Sequence, residues 1–325
     1  MRPKVSVVIP AYNAEKTIEE TIQGLLSQDY SKNDYEIIVV DDGSNDSTKE
    51  MIKKFKRVKL FKQKHRGPAA ARNLGVKHSK GDLILFTDAD CVPDKNWIKN
   101  MIKPFKDGDI VGVGGTYRTL NKKSLIARFV GYEIAERHRR MKNKKNIDFV
   151  GTYSAGYRKD ILLKFKGFDI TFPTSSGEDS ELSFRIAEEG YKIVFNSQAF
   201  VYHRHPDTIL KFIKQKFWRG FWRIHLYKKH KEKIFKHSYT PKFIYLETAC
   251  LGLSLILLTL NFFGLIPLFY GLTIFILSFL LTLPLSFRII KKDKMTGFFS
   301  PTIIILRNFA IGLGILCGLI FLLKD

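Results

Sequence analysis

The stretch LILFTDADCVPD, residues 83–94, sets an apolar run directly against Asp88, Asp90 and Asp94. The chain as a whole is basic, with 54 Lys+Arg against 31 Asp+Glu and a formal net charge of +23. Acids gathered at the end of an apolar strand in such a chain need a reason, and the neighbouring segments supply one. VSVVI (5–9) and YEIIVV (35–40) are β-branched, apolar runs of the kind buried in parallel sheets. Between them, Ile18, Ile22, Leu25 and Leu26 mark one face of a helix. VKLF (58–61) reads as a short strand and residues 69–78 as a helix. Strand alternating with helix predicts an α/β domain, a mostly parallel sheet with helices on both faces. Ligands of such sheets sit beyond the carboxyl ends of the strands. Tyr12 follows the first strand, Asp41 and Asp42 the second, Asp88 and Asp90 the fourth. The acids therefore lie in a ligand crevice, where a hard divalent cation takes oxygen ligands and bridges them to phosphates. Asp88-Ala89-Asp90 is expected on an extended segment, with both carboxylates on one side. No glycine fingerprint follows the first strand, which counts against a dinucleotide oxidoreductase, and no internal repeat is visible.

The charge excess implies an anionic partner, and its location selects among nucleic acid, phosphate-bearing substrate and lipid. Between Phe243 and Phe287 the one charged residue is Glu247. That run is about twice the length of a ~20-residue span, and Asn261, Gly264 and Pro267 offer a turn near its middle. Spans are expected at about 243–263, 266–287 and 301–323. Arg204 to Lys242 carries twelve Lys/Arg and two acids, and RIIKKDKMTG after the second span is also basic. The positive-inside rule then places the N-terminal part and the 288–297 loop in the cytoplasm, in a multi-pass protein of the cell membrane, with the C-terminus outside. In the segment from Thr208, Leu210, Ile213, Phe217, Phe221 and Ile224 recur at helical spacing. Lys211, Lys214, Gln215, Arg219 and Arg223 take another face. This reads as an amphipathic helix on anionic membrane lipids, with no nucleic acid partner. The expected division is 1–205 catalytic, 206–242 interfacial and 243–325 transmembrane. MRPKVSVVIP reads as strand and not as a signal peptide. Cys91, Cys250 and Cys317 are too far apart for a metal pair and are expected as free thiols.

VSVVIPAYNAEKTIEETIQGLLSQDY, EIIVVDDGSNDST, RGPAAARNLG, LILFTDAD and GEDSELSFRIAEEGYKIVFNSQAFVYH occur in this order over residues 4–203. Together they resemble the family 2 glycosyltransferases of GT-A (Rossmann-like) fold. The resemblance implies a nucleotide-diphosphate sugar donor and a divalent cation, Mn2+ or Mg2+. It implies that Pro10, Ala11 and Tyr12 line the nucleotide base, with Asp42 accepting a hydrogen bond from it and Asp41 in support. Arg72 and Asn73 would line the nucleotide site. Asp90 would be the direct metal ligand, Asp88 would lie nearer the ribose or a metal-bound water, and His203 would be a ligand or a structural residue. Asp179 would be the base and Glu178 its neighbour at the acceptor site. A positioned carboxylate is what a poorly nucleophilic hydroxyl needs. Both acids also suit the first turn of a helix. The nearest approach to the Gln-x-x-Arg-Trp of processive synthases is Gln215-Lys216-Phe217-Trp218-Arg219-Gly220, wrongly spaced, which argues against processive synthesis.

The expected function is a membrane-bound, metal-dependent, inverting transfer of one sugar to a lipid-linked acceptor at the cytoplasmic face. Alternatives are a polyprenyl-phosphate acceptor, nucleotidyl transfer, or a non-catalytic membrane scaffold. Glu247 and Arg307 lie about four and six residues into their spans. They are expected to meet each other, to line a path for a lipid phosphate, or to snorkel separately.

Overall fold

A computed structural model describes residues 4–174 and 177–323. The strands are β1 (Val5–Ala11), β2 (Tyr35–Asp41), β3 (Val58–Lys62), β4 (Leu83–Phe86), β5 (Cys91–Pro93), β6 (Ile110–Thr119), β7 (Ala155–Arg158) and β8 (Lys192–His203). The helices are α1 (Ile18–Leu26), α2 (Thr48–Lys53), α3 (Pro68–His78), α4 (Trp97–Ile102), α5 (Leu125–Lys142), α6 (Lys159–Lys164), α7 (Glu178–Glu188), α8 (Ile209–Lys229), α9 (Lys242–Phe262), α10 (Leu268–Ile290) and α11 (Lys294–Leu322). They fall into two compact units. One runs up to Leu120 and adds His138–Arg204 and His237–Tyr239. The other takes Asn121–Arg137, His205–Lys236 and the chain from Thr240 onward.

The first unit is built on one sheet, in the order β3-β2-β1-β4-β7-β6-β8-β5. β1 pairs in parallel with β2 and β4, and β2 with β3, as the alternation of strand and helix predicts. β7 runs antiparallel between β4 and β6, and β5 antiparallel on β8. β6 and β8 pair in parallel, so six strands share one direction. The period-two geometry of a strand sends alternate residues to opposite faces. Val7, Ile9, Ile37 and Val39 pack with Ile18, Ile22 and Leu25 of α1 and with Trp97, Ile98 and Met101 of α4. Val8, Ile38, Val40, Ile84 and Phe86 pack on the other face with Ala69, Ala71 and Val76 of α3, Ile161 of α6, and Leu182 and Ile186 of α7. A strand buried on both faces cannot alternate polar and apolar, which is why the runs are continuous.

The second unit buries polar groups and exposes apolar ones. Ser254, Ser278, Thr282, Ser286, Thr296, Ser300, Arg307 and Asn308 are buried, while Ile256, Phe269, Ile276, Phe298, Leu316 and Ile320 are exposed. That inversion suits a lipid solvent. Phe243–Phe262, Leu268–Ile290 and Lys294–Leu322 are long and apolar enough to cross a membrane. Gly264, at φ +71°, closes the α9–α10 turn, and its N–H donates to Asn261 O at 2.8 Å. The third of these helices begins seven residues before the expected 301. Asp293 caps it, accepting from Thr296 N at 3.0 Å and from Arg128 Nε at 2.7 Å. Pro301 lacks the N–H that would reach Gly297 O, and the Ser300 hydroxyl donates to that carbonyl instead, at 2.7 Å.

α8 corrects the expected amphipathic face. Its buried residues are Phe212, Lys216, Gly220, Leu226 and Tyr227, while Leu210 is 77% exposed. Close packing against α11 sets this face. A β-carbon at Gly220 would lie 2.4 Å from Ile311 O, and one at Gly314 would lie 2.1 Å from Phe217 O. Small residues that let helix backbones touch outweigh the apolar stripe. Lys216 Nζ donates to Glu133 Oε2 at 2.7 Å, and Arg307 NH1 to Glu133 Oε1 at 2.6 Å. Arg307 NH2 also pairs with Glu247, and Nε with Asn308 Oδ1 at 3.0 Å. Glu247 and Arg307 therefore meet, and every nitrogen of Arg307 is committed to protein.

Candidate active site

All candidate residues of the site belong to the first unit, at the ends of its strands and on α3 and α7. Pro10 and Ala11 close β1 and pair with Val40 and Asp41. They are strand residues and not the expected loop, and Ala11 is buried. Tyr12, the first residue beyond the strand, is 43% exposed. Its ring stacks on His65, with centroids 4.0 Å apart at 26°. Asn13, at φ 48°, turns the chain, and its side chain accepts from Asn45 N at 2.9 Å. Asp41 is buried and accepts from Ser44 N at 3.0 Å, fastening the turn after β2. Asp42 was expected to meet a base. In the structure its carboxylate accepts from Gln63 Nε2 at 2.6 Å, Arg66 N at 2.9 Å and Gly67 N at 2.9 Å. Its observed task is to hold the loop that carries His65.

Asp88-Ala89-Asp90 is not extended. The chain turns at residues 89–90, and Cys91 N donates back to Asp88 O at 3.1 Å. The two acids thereby face different partners. Asp88 Oδ1 accepts from Arg72 NH2 at 2.9 Å. Asp90 Oδ2 lies 3.6 Å from His203 Nε2. This second meeting is fixed by register, because Cys91 sits opposite His203 in the β5–β8 pair. Among the described residues, Asp90, Cys91 and His203 form the cluster whose ligand atoms all lie within 4.8 Å of one another. Cys91 is a poor member. It is fully buried, and burial with the charges of Asp90 and Asp88 pushes its thiol well above the ordinary value. The thiol stays protonated and points at Asp90 Oδ1 at 3.6 Å. The carboxylate and imidazole fit a divalent cation better. Their 3.6 Å spacing is too long for a hydrogen bond. Adjacent ligands about 2.1 Å from one octahedral ion lie roughly 3 Å apart.

Arg72 and Asn73, expected to line the nucleotide site, bond to protein partners in the structure. Arg72 is 1% exposed. It bridges Asp88 to Glu178, whose Oε1 accepts from NH1 at 2.7 Å. Asn73 spends both ends of its amide on the backbone of Phe168, at 2.8 Å each. Glu178 and Asp179 open α7, where acids suit the helix dipole. Asp179 Oδ1 accepts from Ser180 N at 2.7 Å. Burial, and then the charge of Glu178, push the Asp179 carboxyl up to about 7, with Arg72 opposing. Arg72 thus ties the strand-end acid Asp88 to the helix-start pair. His65, which stacks on Tyr12, escaped the sequence reading. Its signal was the KHRG run (64–67) just ahead of α3.

Residues 6–165 match the family described as Glycosyl transferase family 2. The chain is 32% identical over 236 residues to the probable glycosyltransferase YdaM of Bacillus subtilis strain 168, covering 68% of this chain and 53% of that protein. The chain therefore spans about half the length of that relative. It is 27% identical over 226 residues to the dolichyl N-acetyl-α-D-glucosaminyl phosphate 3-β-D-2,3-diacetamido-2,3-dideoxy-β-D-glucuronosyltransferase of Methanococcus voltae, covering 65% of this chain and 70% of the relative. The structure is similar to that of the mannosyltransferase PcManGT of Pyrobaculum calidifontis in complex with GDP-Man and Mn2+. The TM-score is 0.65 at 18% identity, over 98% of this chain and 88% of that one. The fold is thus of the GT-A class. The chain belongs to glycosyl transferase family 2.

Proposed function

We propose that the protein moves one sugar from a nucleotide-diphosphate sugar to a lipid-linked acceptor, with inversion, at the cytoplasmic face of a membrane. The observation that carries this reading is Asp179: a carboxylate raised to about 7 beside Glu178, with Arg72 linking Glu178 to the strand-end Asp88. A general base works best when its pKa is near the operating pH. In the proposed step the acceptor oxygen attacks the anomeric carbon and its proton passes to the Asp179 carboxylate. The bond to the diphosphate oxygen breaks as the new one forms. Tyr12 and His65 offer the base a stacked, half-exposed face. Arg72 holds Glu178 and Asp88 at fixed places. Asp90 and His203 would hold Mn2+ or Mg2+, with Asp88 nearby. When bound, the ion supplies positive charge to the leaving diphosphate.

The donor class agrees with the GDP-Man held by the Pyrobaculum structure. The acceptor class agrees with the name of the Methanococcus relative, which acts on a dolichyl-linked sugar phosphate. A sugar hydroxyl needs a base, whereas an ionised polyprenyl phosphate does not, so the raised carboxyl favours the first. Three helices of spanning length with basic flanks support a multi-pass protein and the cytoplasmic orientation. The test incubates the full chain with a panel of nucleotide sugars and lipid-linked glycans, with Mn2+. Nucleoside diphosphate should appear with a product of inverted anomeric configuration. Diphosphate released from a nucleoside triphosphate would point to nucleotidyl transfer. Absence of any turnover, with Asp90→Asn silent in cells, would point to a scaffold.

A further inference from the structure

We propose that His138 is a positioning residue for His203, acting through a partly buried column of Thr116, Tyr153 and Tyr117. The inference rests on the reading that His203 and Asp90 share a cation. His138 is 5% exposed and uses both ring nitrogens. Nδ1 lies 2.5 Å from Thr116 Oγ1, and Nε2 lies 2.9 Å from the Tyr153 hydroxyl. Tyr153 is the hub of the column. Its ring meets Tyr117 edge-on at 4.2 Å and 70°, and Tyr117 stacks on His203 at 5.2 Å and 25°. Its carbonyl accepts from Thr87 Oγ1 at 3.0 Å. Thr87 immediately precedes the turn that carries Asp88 and Asp90. One residue thus touches the supports of both sides of the seat, the imidazole and the carboxylate turn.

The local backbone is adapted to this arrangement. β6 shifts register against β8 between Gly114 and Thr116. Such irregularities re-aim side chains, and here the consecutive residues Thr116 and Tyr117 both reach the His138 ring. Burial pushes the Tyr153 phenol well above its ordinary value, so it stays a neutral hydroxyl. A buried hydroxyl stripped of its partner is costly. Without His138, therefore, Tyr153 would move toward another partner, and Tyr117 would lose the wall that holds it against His203. Outer partners of metal-binding residues typically set affinity by about ten- to a hundredfold.

The experiment measures Mn2+ affinity of the full chain in detergent by the electron paramagnetic resonance signal of free Mn2+. His138→Phe keeps a ring without hydrogen bonds, and Tyr153→Phe removes the hydroxyl alone. Each should weaken Mn2+ binding about tenfold. His138→Gln, which can bond to both Thr116 and Tyr153, should restore most of it. Tyr153→Phe, the milder change, decides the matter if His138→Phe fails to fold. Folded variants that bind Mn2+ within twofold of wild type, while His203→Ala binds it weakly, would overturn the role of His138 and leave the metal seat standing. His203→Ala binding Mn2+ like wild type would overturn the seat, and the column's role with it.

Discussion

Asp179 sits where burial and a like charge raise its proton affinity together, and this fixes the sign of two effects. A base must be ionised to accept a proton. Turnover should therefore climb about tenfold per pH unit below 7 and level off above it. Asp179→Asn should lower kcat by about 10²- to 10⁴-fold and leave donor affinity nearly unchanged, since proton removal belongs to the transition state. A collapse of donor binding would move the base elsewhere. Stability runs the other way. The folded carboxyl holds its proton more tightly than the ordinary value of 3.8. The folded state thus binds more protons between pH 4 and 7, and the group costs stability as pH rises through that window. Asp179→Asn should raise the Tm at pH 8, and the gain should vanish near pH 4. Asp90→Asn should keep the fold, because its side chain is 43% exposed. It should remove transfer activity by at least a hundredfold, and activity that survives in the mutant or in chelator would sink the metal assignment. The sequence revealed these acids because each follows an apolar strand directly. It could not reveal what they touch. Arg72 reaches Glu178 106 positions away, and Tyr117 reaches His203 across a register that only the folded sheet defines.

At the scale of elements, β1 to β4, α1 and α3 were legible because local period and turn residues agree with the tertiary outcome. The three long apolar helices were legible because they carry almost no charge. β5 to β7 and α5 are too short or too mixed in pattern to announce themselves, and the packed face of α8 was misread. The apolar stripe of α8 suggested a lipid contact, yet the backbone meets α11 along Gly220 and Gly314. Lys216, on that packed face, reads as a surface lysine until Glu133 of α5 is set against it. Burial lowers the Lys216 ammonium to about 7, while Glu133 is held well below its ordinary value by Lys216, Arg137 and Arg307. Arg307 is the shared partner of Glu133 and Glu247. Arg307→Leu leaves the buried Glu247 without its cation and takes from Glu133 one cation beside Lys216 and Arg137, and should cost about 3–5 kcal/mol. Glu247→Leu should do comparable harm, and the double substitution should cost about 1–3 kcal/mol less than the sum. Additive costs in a denaturation series would show that the pair does not act as a unit.

At the scale of the whole molecule, the charge is distributed with a direction. The α9–α10 turn, Phe263 to Pro267, carries no charge, while Lys291, Lys292 and Asp293 join α10 to α11 beside Arg288 and Lys294. Basic residues near span ends are retained in the cytoplasm. For three crossing helices, as proposed, that rule gives opposite exposures for the two connections. Leu265 is 69% exposed in the first turn, and Lys292 is exposed in the second connection. In a background of Cys250→Ser and Cys317→Ala, with buried Cys91 left in place, each can be replaced by cysteine and treated with a membrane-impermeant maleimide. Leu265→Cys should label in intact cells. Lys292→Cys should label only after the cells are permeabilised. The reverse pattern would put the basic connection outside, away from cytoplasmic nucleotide sugars. Equal labelling of both sites in intact cells would mean that α10 does not cross the membrane. The proposed transfer draws on a cytoplasmic donor and so requires this orientation, and the 12 Lys/Arg between Arg204 and Lys242 favour the same side.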